Sequence, residues 1–409
     1  MFLPEHMDVE RVRRDFPLYT GASKDYIYLD NACQTLRPIS VIEAMSRYYL
    51  EYPACGGRSV HRLATQVSIE VDEAREKVAS FLGAERPEEI AFTKNCTEAL
   101  NLVAKGRKLL KGDTVVTTDF EHNSNHVPWL QMQESRGIKR RFVLTPPSGM
   151  FDIEAFKKVM SHEVKMVSMV HTNNITGAGI PAKEVVEISH DYGALVMLDG
   201  AQAAPHQEVD VGQLDVDFYA ISVHKMLGPS GMGVLFGKME HLRTLEPLVS
   251  GGGGVSLTTQ ERAELLPPPE RFEAGLQNYA GIIGTGAAID YLNRLGMQEI
   301  WGHEAMLNER ATSLLRATPN VSIMAPAEAK HRGSILSFNI KGMSSHDVAM
   351  ILDEIGKVMI RSGMHCVHPY FLARQLEGCA RASFYVYNSM EEVERFGEKV
   401  SEVASKFSM

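Results

Sequence analysis

Between about residues 60 and 240, short runs of almost continuously apolar residues alternate with longer stretches of helical periodicity. Runs such as VKMVSMV at 164–170 and ALVMLD at 194–199 lack a consistent polar face, which is typical of strands covered by helices on both sides. Similar runs end at Thr93, Thr118 and Ser222. Strands that alternate with helices in this way predict an α/β fold with a mostly parallel sheet.

The pattern changes after this region. Residues 250–259 are rich in glycine and residues 266–270 are rich in proline, which predicts an irregular connection. One long helical stretch over 291–317, a strand over 334–340 and two closing helical patterns predict a smaller α+β unit. The expected parts are an N-terminal segment that packs with the small domain (1–27), a large domain (28–289) and a small C-terminal domain (290–409).

Composition narrows the classes of partner. The chain of 409 residues has 42 Lys and Arg against 51 Asp and Glu, a net charge of −9, which disfavours a nucleic-acid partner. No apolar run reaches the ~18 residues of a membrane span, and the N-terminal residues lack the apolar core of a signal peptide, so we expect no membrane partner and a cytoplasmic location. The five cysteines are scattered and form no CxxC pair, which favours free thiols.

The strongest local indication of function lies at the ends of two predicted strands. One predicted strand ends at Asp199, and the next ends at Ser222 and is followed by His224 and Lys225. Ligands of parallel sheets bind beyond the carboxyl ends of the strands, so these side chains should converge. Lysine can hold pyridoxal phosphate (PLP) as a Schiff base, while a carboxylate keeps the pyridine nitrogen protonated. A buried Asp–Lys ion pair without a cofactor explains the same two residues.

Three weaker features favour the PLP interpretation when they are taken together. Thr97 is the predicted N-cap of a helix, whose first N–H groups can hold a phosphate. Hydroxyl and imidazole groups stand beside Lys225, before a glycine-rich turn that precedes no predicted helix and is therefore no dinucleotide motif. His122 follows a strand and can stack on an aromatic ring. Each feature alone also has an ordinary structural explanation.

Cys366 is the candidate nucleophile. It stands among short loop residues between His365 and His368, which predicts a partly exposed thiol that can ionise. A buried structural cysteine and a zinc site are the alternatives. Zinc is the weakest of them, because no matching pair of ligands occurs elsewhere in the chain, and we expect no metal.

Segments spread over most of the chain resemble PLP-dependent enzymes of the class V aminotransferase family, and within it the Suf-type cysteine desulfurases and the similar selenocysteine lyases. The segments are YLDNAC (28–33), RSVH (58–61), TEALNLV (97–103), EHNSNHVPW (121–129), HTNNITG (171–177), LDGAQAAPH (198–206), DFYAISVHKMLGPSGMGVLF (217–236), RFEAG (271–275), RSGMHC (361–366) and RASFYVYN (381–388). The resemblance implies the type I fold of PLP-dependent transferases and a homodimer. It also implies L-cysteine as substrate and a persulfide passed to an acceptor protein, as in iron–sulfur cluster assembly.

The resemblance also implies roles for individual residues. Lys225 would carry the cofactor and act as a base, Asp199 would pair with the pyridine nitrogen, and Arg381 would bind the substrate carboxylate. The implied catalytic residues are Lys225, Cys366 and His122. The implied cofactor-binding residues are Cys96, Thr97, His122, Asn174, Asp199, Gln202, Ser222, His224 and Lys225. The implied substrate-binding residues are Arg381, Asn174 and Ala32.

The chain departs from the family pattern at several positions. Leu276 and Gln277 replace a Thr-Pro pair whose threonine normally reaches the cofactor of the neighbouring subunit. Asn123 and Gly57 stand where histidines are usual, and Cys96 replaces a threonine. The departures keep other functions open, namely another PLP-dependent lyase, epimerase or aminotransferase that does not use the late cysteine, and a non-catalytic sulfur carrier or scaffold. A nicotinamide dehydrogenase is disfavoured, because no strand is followed by GxGxxG at a helix start.

Overall fold

The structure is a computed structural model that describes residues 7–21, 23 and 25–406. Parts of the predicted N-terminal segment (1–6, 22 and 24) and the end of the predicted small domain (407–409) lie outside the described residues. The strands are β1 (Ile27–Tyr28), β2 (Ile90–Thr93), β3 (Thr114–Thr118), β4 (Lys139–Val143), β5 (Val164–Val170), β6 (Leu195–Asp199), β7 (Phe218–Ser222), β8 (Gly233–Gly237), β9 (Val255–Thr258), β10 (Ala263–Leu265), β11 (Val321–Ile323), β12 (Ile335–Ile340), β13 (Val358–Met359), β14 (Arg361–Gly363) and β15 (Cys379–Ser383). The α-helices are α1 (Val9–Arg13), α2 (Pro17–Thr20), α3 (Ile39–Glu51), α4 (Arg62–Leu82), α5 (Cys96–Gly106), α6 (Asn123–Arg136), α7 (Ile153–Val159), α8 (Ala182–Asp191), α9 (Val211–Leu214), α10 (Met239–Leu242), α11 (Tyr279–Leu295), α12 (Met297–Arg316), α13 (Ser345–Gly356), α14 (His368–Ala373) and α15 (Met390–Lys406).

The large sheet has seven strands in the order β2-β8-β7-β6-β5-β3-β4. Strand β8 is antiparallel to both of its neighbours, and every other adjacent pair is parallel. The predicted mostly parallel sheet is therefore confirmed. Because β6 and β7 are parallel neighbours, Asp199 and Ser222 end their strands at the same edge of the sheet.

Helices cover both faces of this sheet. Successive residues of a strand point to opposite faces, and they enter two different apolar clusters. In β6, Leu198 belongs to one cluster and Met197 to the other, and in β7 the same holds for Ile221 and Ala220. This double burial explains why the strand sequences are apolar at nearly every position, as predicted.

The C-terminal part contains an antiparallel sheet in the order β11-β12-β15-β14. Its apolar face packs on helices α12, α13 and α15, with Leu336 and Phe338 of β12 in a cluster that includes Phe396 of α15. The predicted strand over 334–340 and the two closing helices are present.

Two local predictions were wrong. The single helical stretch predicted over 291–317 is interrupted, since α11 ends at Leu295 and α12 begins at Met297. Gly296 between them has φ of 85° and ψ of 126°, a non-helical conformation that interrupts the helix and that glycine adopts without strain. The connection over 250–270 is also less irregular than predicted, because β9 and β10 form an antiparallel hairpin within it.

The N-terminal residues contact the C-terminal part of the chain. Phe16 packs edge-on against the ring of Tyr387, at 4.7 Å between ring centroids, and Arg13 forms an ion pair with Glu392 at 3.0 Å. Strand β1 pairs in parallel with β13. Helix α11 runs across the predicted boundary at 289/290, and the domain boundaries stay a prediction. Within the described residues, no helix is both long and apolar enough to cross a membrane.

A buried carboxylate ties one edge of the large sheet together. Asp217, just before β7, accepts hydrogen bonds from the Val196 N–H at 2.7 Å, from His190 Nε2 at 2.9 Å and from His241 Nε2 at 3.0 Å. Burial acts to raise the pKa of Asp217, but these hydrogen bonds outweigh it and lower the pKa to about 2. The carboxylate therefore stabilises the fold above its ordinary pKa, and this contribution is lost as the pH falls toward 2.

We expect Asp217→Asn to lower the free energy of unfolding at pH 7 by about 2 kcal/mol, because the charged hydrogen bonds are lost. Urea denaturation at pH 7 measures the change. The control is Asp215→Asn, which removes an equal charge from an exposed side chain paired with Lys238 and should cost less than about 1 kcal/mol. Equal effects of the two substitutions would contradict the assignment.

Candidate active site

A cavity of about 250 Å3 opens where β6 and β7 end, beside the first turns of α5 and α6. All the sequence-predicted cofactor-binding and substrate-binding residues line it, namely Ala32, Cys96, Thr97, His122, Asn174, Asp199, Gln202, Ser222, His224, Lys225 and Arg381. Cys366 is not among the lining residues, although its neighbour His365 is. The structure therefore brings the predicted residues to one place, with the thiol just outside.

Lys225 and Asp199 share the cavity but are not bonded to each other. Asp199 is buried and accepts hydrogen bonds at Oδ1 from Cys96 Sγ at 3.3 Å and from the Ala201 N–H at 3.0 Å. Burial lowers the pKa of Lys225, although the charge of Asp199 acts to raise it. No hydrogen bond or ion pair joins the two groups in the described chain, so the alternative of a closed Asp–Lys ion pair is wrong.

The first turn of α5 forms one wall of the cavity. The prediction that Thr97 caps this helix was wrong, because Asn95 is the N-cap and its side chain accepts a hydrogen bond from the Glu98 N–H at 2.9 Å. Asparagine is at least as good a cap as threonine and stands two residues earlier. Thr97 instead lies in the first turn, where its hydroxyl contacts that of Ser124 at 2.7 Å. The Cys96 N–H donates to Ser222 Oγ at 3.1 Å, which joins the helix start to the end of β7.

His122 forms a second wall and caps α6. Its Nδ1 accepts a hydrogen bond from the Ser124 N–H at 3.1 Å. Burial, helped by the positive charges of Lys225 and nearby arginines, lowers the pKa of His122 to about 3. The imidazole is consequently neutral at neutral pH, which suits stacking on a ring. Burial similarly lowers the pKa of His224 to about 4.

Buried polar atoms around the cavity lack hydrogen-bond partners among the described residues. They are Asn174 Oδ1, Gln202 Oε1, His365 Nδ1 and Arg381 Nε. The other polar atoms of these side chains are engaged: Gln202 Nε2 donates to the Ala32 carbonyl at 2.7 Å, and Arg381 donates to the Asn174 carbonyl at 2.8 Å. A buried polar atom without a partner costs free energy. The cavity is therefore built for a polar ligand that offers both donors and acceptors.

Cys366 lies in the loop between β14 and α14 and is partly exposed. Its sulfur accepts a contact from Arg361 Nη2 at 3.9 Å, and Arg361 also lines the cavity. The flanking histidines point to different partners: buried His365 bonds the Cys379 carbonyl at 2.9 Å, whereas exposed His368 contacts Asn123 at 2.7 Å. Among residues 7–21, 23 and 25–406, no group of three or more His, Cys, Asp or Glu side chains could hold a metal ion.

Among the lining residues that the sequence did not predict, four carry a thiol, hydroxyl, guanidinium or imidazole group: Cys33, Ser124, Arg361 and His365. All four stand in segments that resemble the family: Cys33 in 28–33, Ser124 in 121–129, and Arg361 and His365 in 361–366. Cys33 places a second thiol at the cavity, next to Ala32. The signal was present in each case, but nothing in the spacing shows which side chain of a motif faces the cavity.

The departures at Leu276 and Gly57 lie away from the cavity. Leu276 is 70% exposed and, with Gln277, lines a separate surface depression. Gly57 is exposed and has φ of 72°. Neither residue contacts the candidate site within the chain.

The comparisons with known proteins agree with this arrangement. Residues 27–396 match the family model described as aminotransferase class-V. A probable cysteine desulfurase from Halobacterium salinarum is 39% identical over 98% of both chains. The structure of a cysteine desulfurase from Thermococcus onnurineus superposes with a TM-score of 0.93 at 39% identity, covering 99% of this chain and 100% of that one.

A cysteine desulfurase from Escherichia coli, solved in an S-sulfonic acid form, has a TM-score of 0.90 at 29% identity and covers 99% of this chain and 100% of that one. The fold and the family that the sequence motifs predicted are thus both confirmed. From its motifs, its sheet topology and these similarities, the chain belongs to the class V aminotransferase family.

Proposed function

We propose that this chain is a PLP-dependent cysteine desulfurase, which takes the sulfur of L-cysteine onto an enzyme thiol and releases L-alanine. The observation that carries the proposal is one cavity that holds Lys225 and Asp199 without a direct bond between them, with the Cys366 thiol linked to its wall through Arg361. The similar proteins named cysteine desulfurases, which match the chain over nearly its whole length, support it.

The residues of the cavity fit PLP. Asp199 lines the cavity and would pair with the pyridine nitrogen. Gln202 Oε1 is a free acceptor for the ring hydroxyl, and His122 is a neutral ring that can stack. The hydroxyls of Thr97 and Ser222 lie at the start of α5, where a phosphate would be bound, and the imidazole of His224 lines the same cavity. When bound, PLP supplies an aldehyde for the substrate amine and a ring that accepts electrons from the adjacent carbon.

Lys225 is the proposed base. Because burial lowers the pKa of Lys225, more of Nζ is neutral at neutral pH than in an exposed lysine, and neutral Nζ can take the proton from Cα of L-cysteine. Arg381 is the proposed group for the substrate carboxylate. Its Nε has no partner among the described residues, and its Nη2 is held only by Asp30 at 3.3 Å, which supports this role. Asn174 and Ala32 lie beside it.

Cys366 is the proposed nucleophile. Its thiolate forms a bond to the sulfur of L-cysteine, the Cβ–S bond breaks, and the electron pair of that bond stays with Cβ. Cβ takes up the proton that the Cys366 thiol lost, and Lys225 returns its proton to Cα, which gives L-alanine and leaves a persulfide on the enzyme. No outside oxidant is needed, because the substrate carbon is reduced as the enzyme sulfur is oxidised.

One observation favours a second candidate. Cys366 does not line the cavity, which is also expected of a PLP-dependent lyase or aminotransferase that leaves this thiol unused. A selenocysteine lyase would use the same residues on a heavier substrate atom. Formation of a persulfide at Cys366 separates the desulfurase from the lyase.

We expect Cys366→Ser to bind PLP with unchanged absorbance and to form no persulfide after incubation with L-cysteine, because the accepting sulfur is gone. Mass spectrometry of the Cys366 peptide measures the added sulfur. The matched control is Cys55→Ser, which alters another partly exposed thiol outside the cavity and should leave the persulfide in place. Lys225→Ala should instead change the cofactor absorbance. Full release of L-alanine from L-cysteine by Cys366→Ser would contradict the proposal.

Gln202→Met tests the cofactor site. The substitution removes the free acceptor Oε1 and the hydrogen bond to Ala32 but keeps the size of the side chain. We expect PLP binding to weaken by about 1 kcal/mol, or about fivefold, measured by fluorescence titration of the apoenzyme. Gln207→Met lies outside this cavity and serves as the control. Unchanged affinity in Gln202→Met would remove Gln202 from the cofactor site.

We also propose a homodimer and transfer of the sulfur to an acceptor protein, with iron–sulfur cluster assembly as one destination. The support for the dimer is an exposed apolar surface on α3, α4 and the loop between them, with Val60 at 99% and Leu50 at 82% exposure. Leu276, which lines a separate surface depression, is a further exposed leucine at 70%. All five cysteines are free thiols, which supports a reducing compartment such as the cytoplasm.

Charges placed on that surface should separate the subunits. We expect the double variant Val60→Asp/Ile69→Asp to sediment as a monomer in analytical ultracentrifugation where the unaltered chain sediments as a dimer. Leu144→Asp, at a similarly exposed leucine beyond the end of β4, should not change the sedimentation. A monomeric unaltered chain would overturn the proposed dimer.

A further inference from the structure

We propose that Asn123 is a positioning residue for Cys366, and that it fixes the thiol loop to the start of α6. The inference rests on the proposed function, because it assigns a role toward the proposed nucleophile. We call residues 364–368 the thiol loop. Asn123 contacts this loop twice, through its backbone and through its side chain.

The thiol loop has a backbone that needs external support. His365 has φ of 46° and Cys366 has φ of 61°, so two consecutive residues with side chains adopt the left-handed region. Residues other than glycine keep such conformations only where surrounding contacts hold them. The contacts around the loop therefore decide where the sulfur of Cys366 lies.

Two asparagines hold the consecutive carbonyl groups of this strained pair. Asn174 Nδ2 donates to the His365 carbonyl at 2.9 Å, and the Asn123 N–H donates to the Cys366 carbonyl at 2.7 Å. The Asn123 amide also contacts His368 Nδ1 at 2.7 Å, two residues beyond Cys366. Asn123 thus holds both the reacting residue and the end of its loop.

The start of α6 also forms part of the cavity wall. His122, the residue before Asn123, caps α6 and lines the cavity, while Asn123 binds the loop outside it. Because His122 and Asn123 are adjacent in the chain, they together fix the distance between the cavity wall and the thiol. Misplacement of a reacting atom by about 1 Å can reduce a rate about a hundredfold. Asn123 accordingly acts on the transfer of sulfur to Cys366 rather than on binding of the substrate.

The backbone hydrogen bond can be removed selectively. Asn123 is the first residue of α6, where proline is well tolerated and has no N–H to donate. His122 has φ of −57° and ψ of 145°, a conformation that is compatible with a following proline. Asn123→Pro therefore removes both contacts, whereas Asn123→Ala removes only the contact with His368. Ser345→Pro places proline at the first residue of α13 and is the matched control.

The experiment compares three quantities in the PLP-loaded enzymes: the KM for L-cysteine, the single-turnover rate of persulfide formation, and the rate of Cys366 alkylation by iodoacetamide. We expect Asn123→Pro to keep the KM and the cofactor absorbance, to slow persulfide formation by about tenfold or more, and to alkylate faster because the thiol is released. Asn123→Ala should show the same changes more weakly, and Ser345→Pro should show none.

Two results would overturn the inference. One is persulfide formation in Asn123→Pro within about twofold of the unaltered enzyme. The other is loss of the cofactor absorbance in Asn123→Pro, since Asn123 would then support the cofactor site and not the thiol. If the unaltered enzyme forms no persulfide, the proposed function fails, and the alkylation rates alone decide: equal rates in Asn123→Pro and the unaltered enzyme would reject the role of Asn123.

Discussion

The arrangement of the site depends on two groups of opposite charge that share a cavity without meeting. Asp199 ends one strand, Lys225 follows the next, and the parallel pairing of those strands brings both to one edge. Had they formed a closed ion pair, each would have satisfied the other. Their separation leaves a gap lined by polar atoms that lack partners, and such a gap stabilises a ligand that spans it.

Residues from outside the large sheet also form the cavity. Arg381 comes from β15 of the small antiparallel sheet, and it donates both to the Asn174 carbonyl and to Asp30. Asp30 in turn bridges to Ser383, while the Ala32 N–H donates to the Ser383 hydroxyl at 2.9 Å. Three distant stretches of chain are therefore held against one another at the place where the proposed substrate carboxylate would bind.

Much of this could be predicted from the sequence. The strands that are buried on both faces could be predicted because their sequences have no polar face. The ends of these strands could be predicted because residues with reactive side chains follow the apolar runs. The capping of α5 was missed because Asn95 and Thr97 are both good caps, and only the backbone conformation selects between them. The position of Cys366 outside the cavity also could not be predicted from the sequence. It depends on two residues other than glycine whose backbone adopts the left-handed region. The contacts of Asn123 span more than 240 residues, a separation at which local patterns carry no information.

The pairing of β1 with β13, and of Asp30 with Ser383, has a consequence for how the chain matures. A ribosome makes the seven strands of the large sheet by residue 237, so that sheet can begin to collapse while synthesis continues. Residues 27–30 precede that sheet in the chain, but their backbone partners in β13 and at Ser383 are synthesised only after it. A nascent chain that ends before residue 358 accordingly holds every strand of the large sheet but an incomplete pocket, and competence for chemistry waits for Cys366 and Arg381.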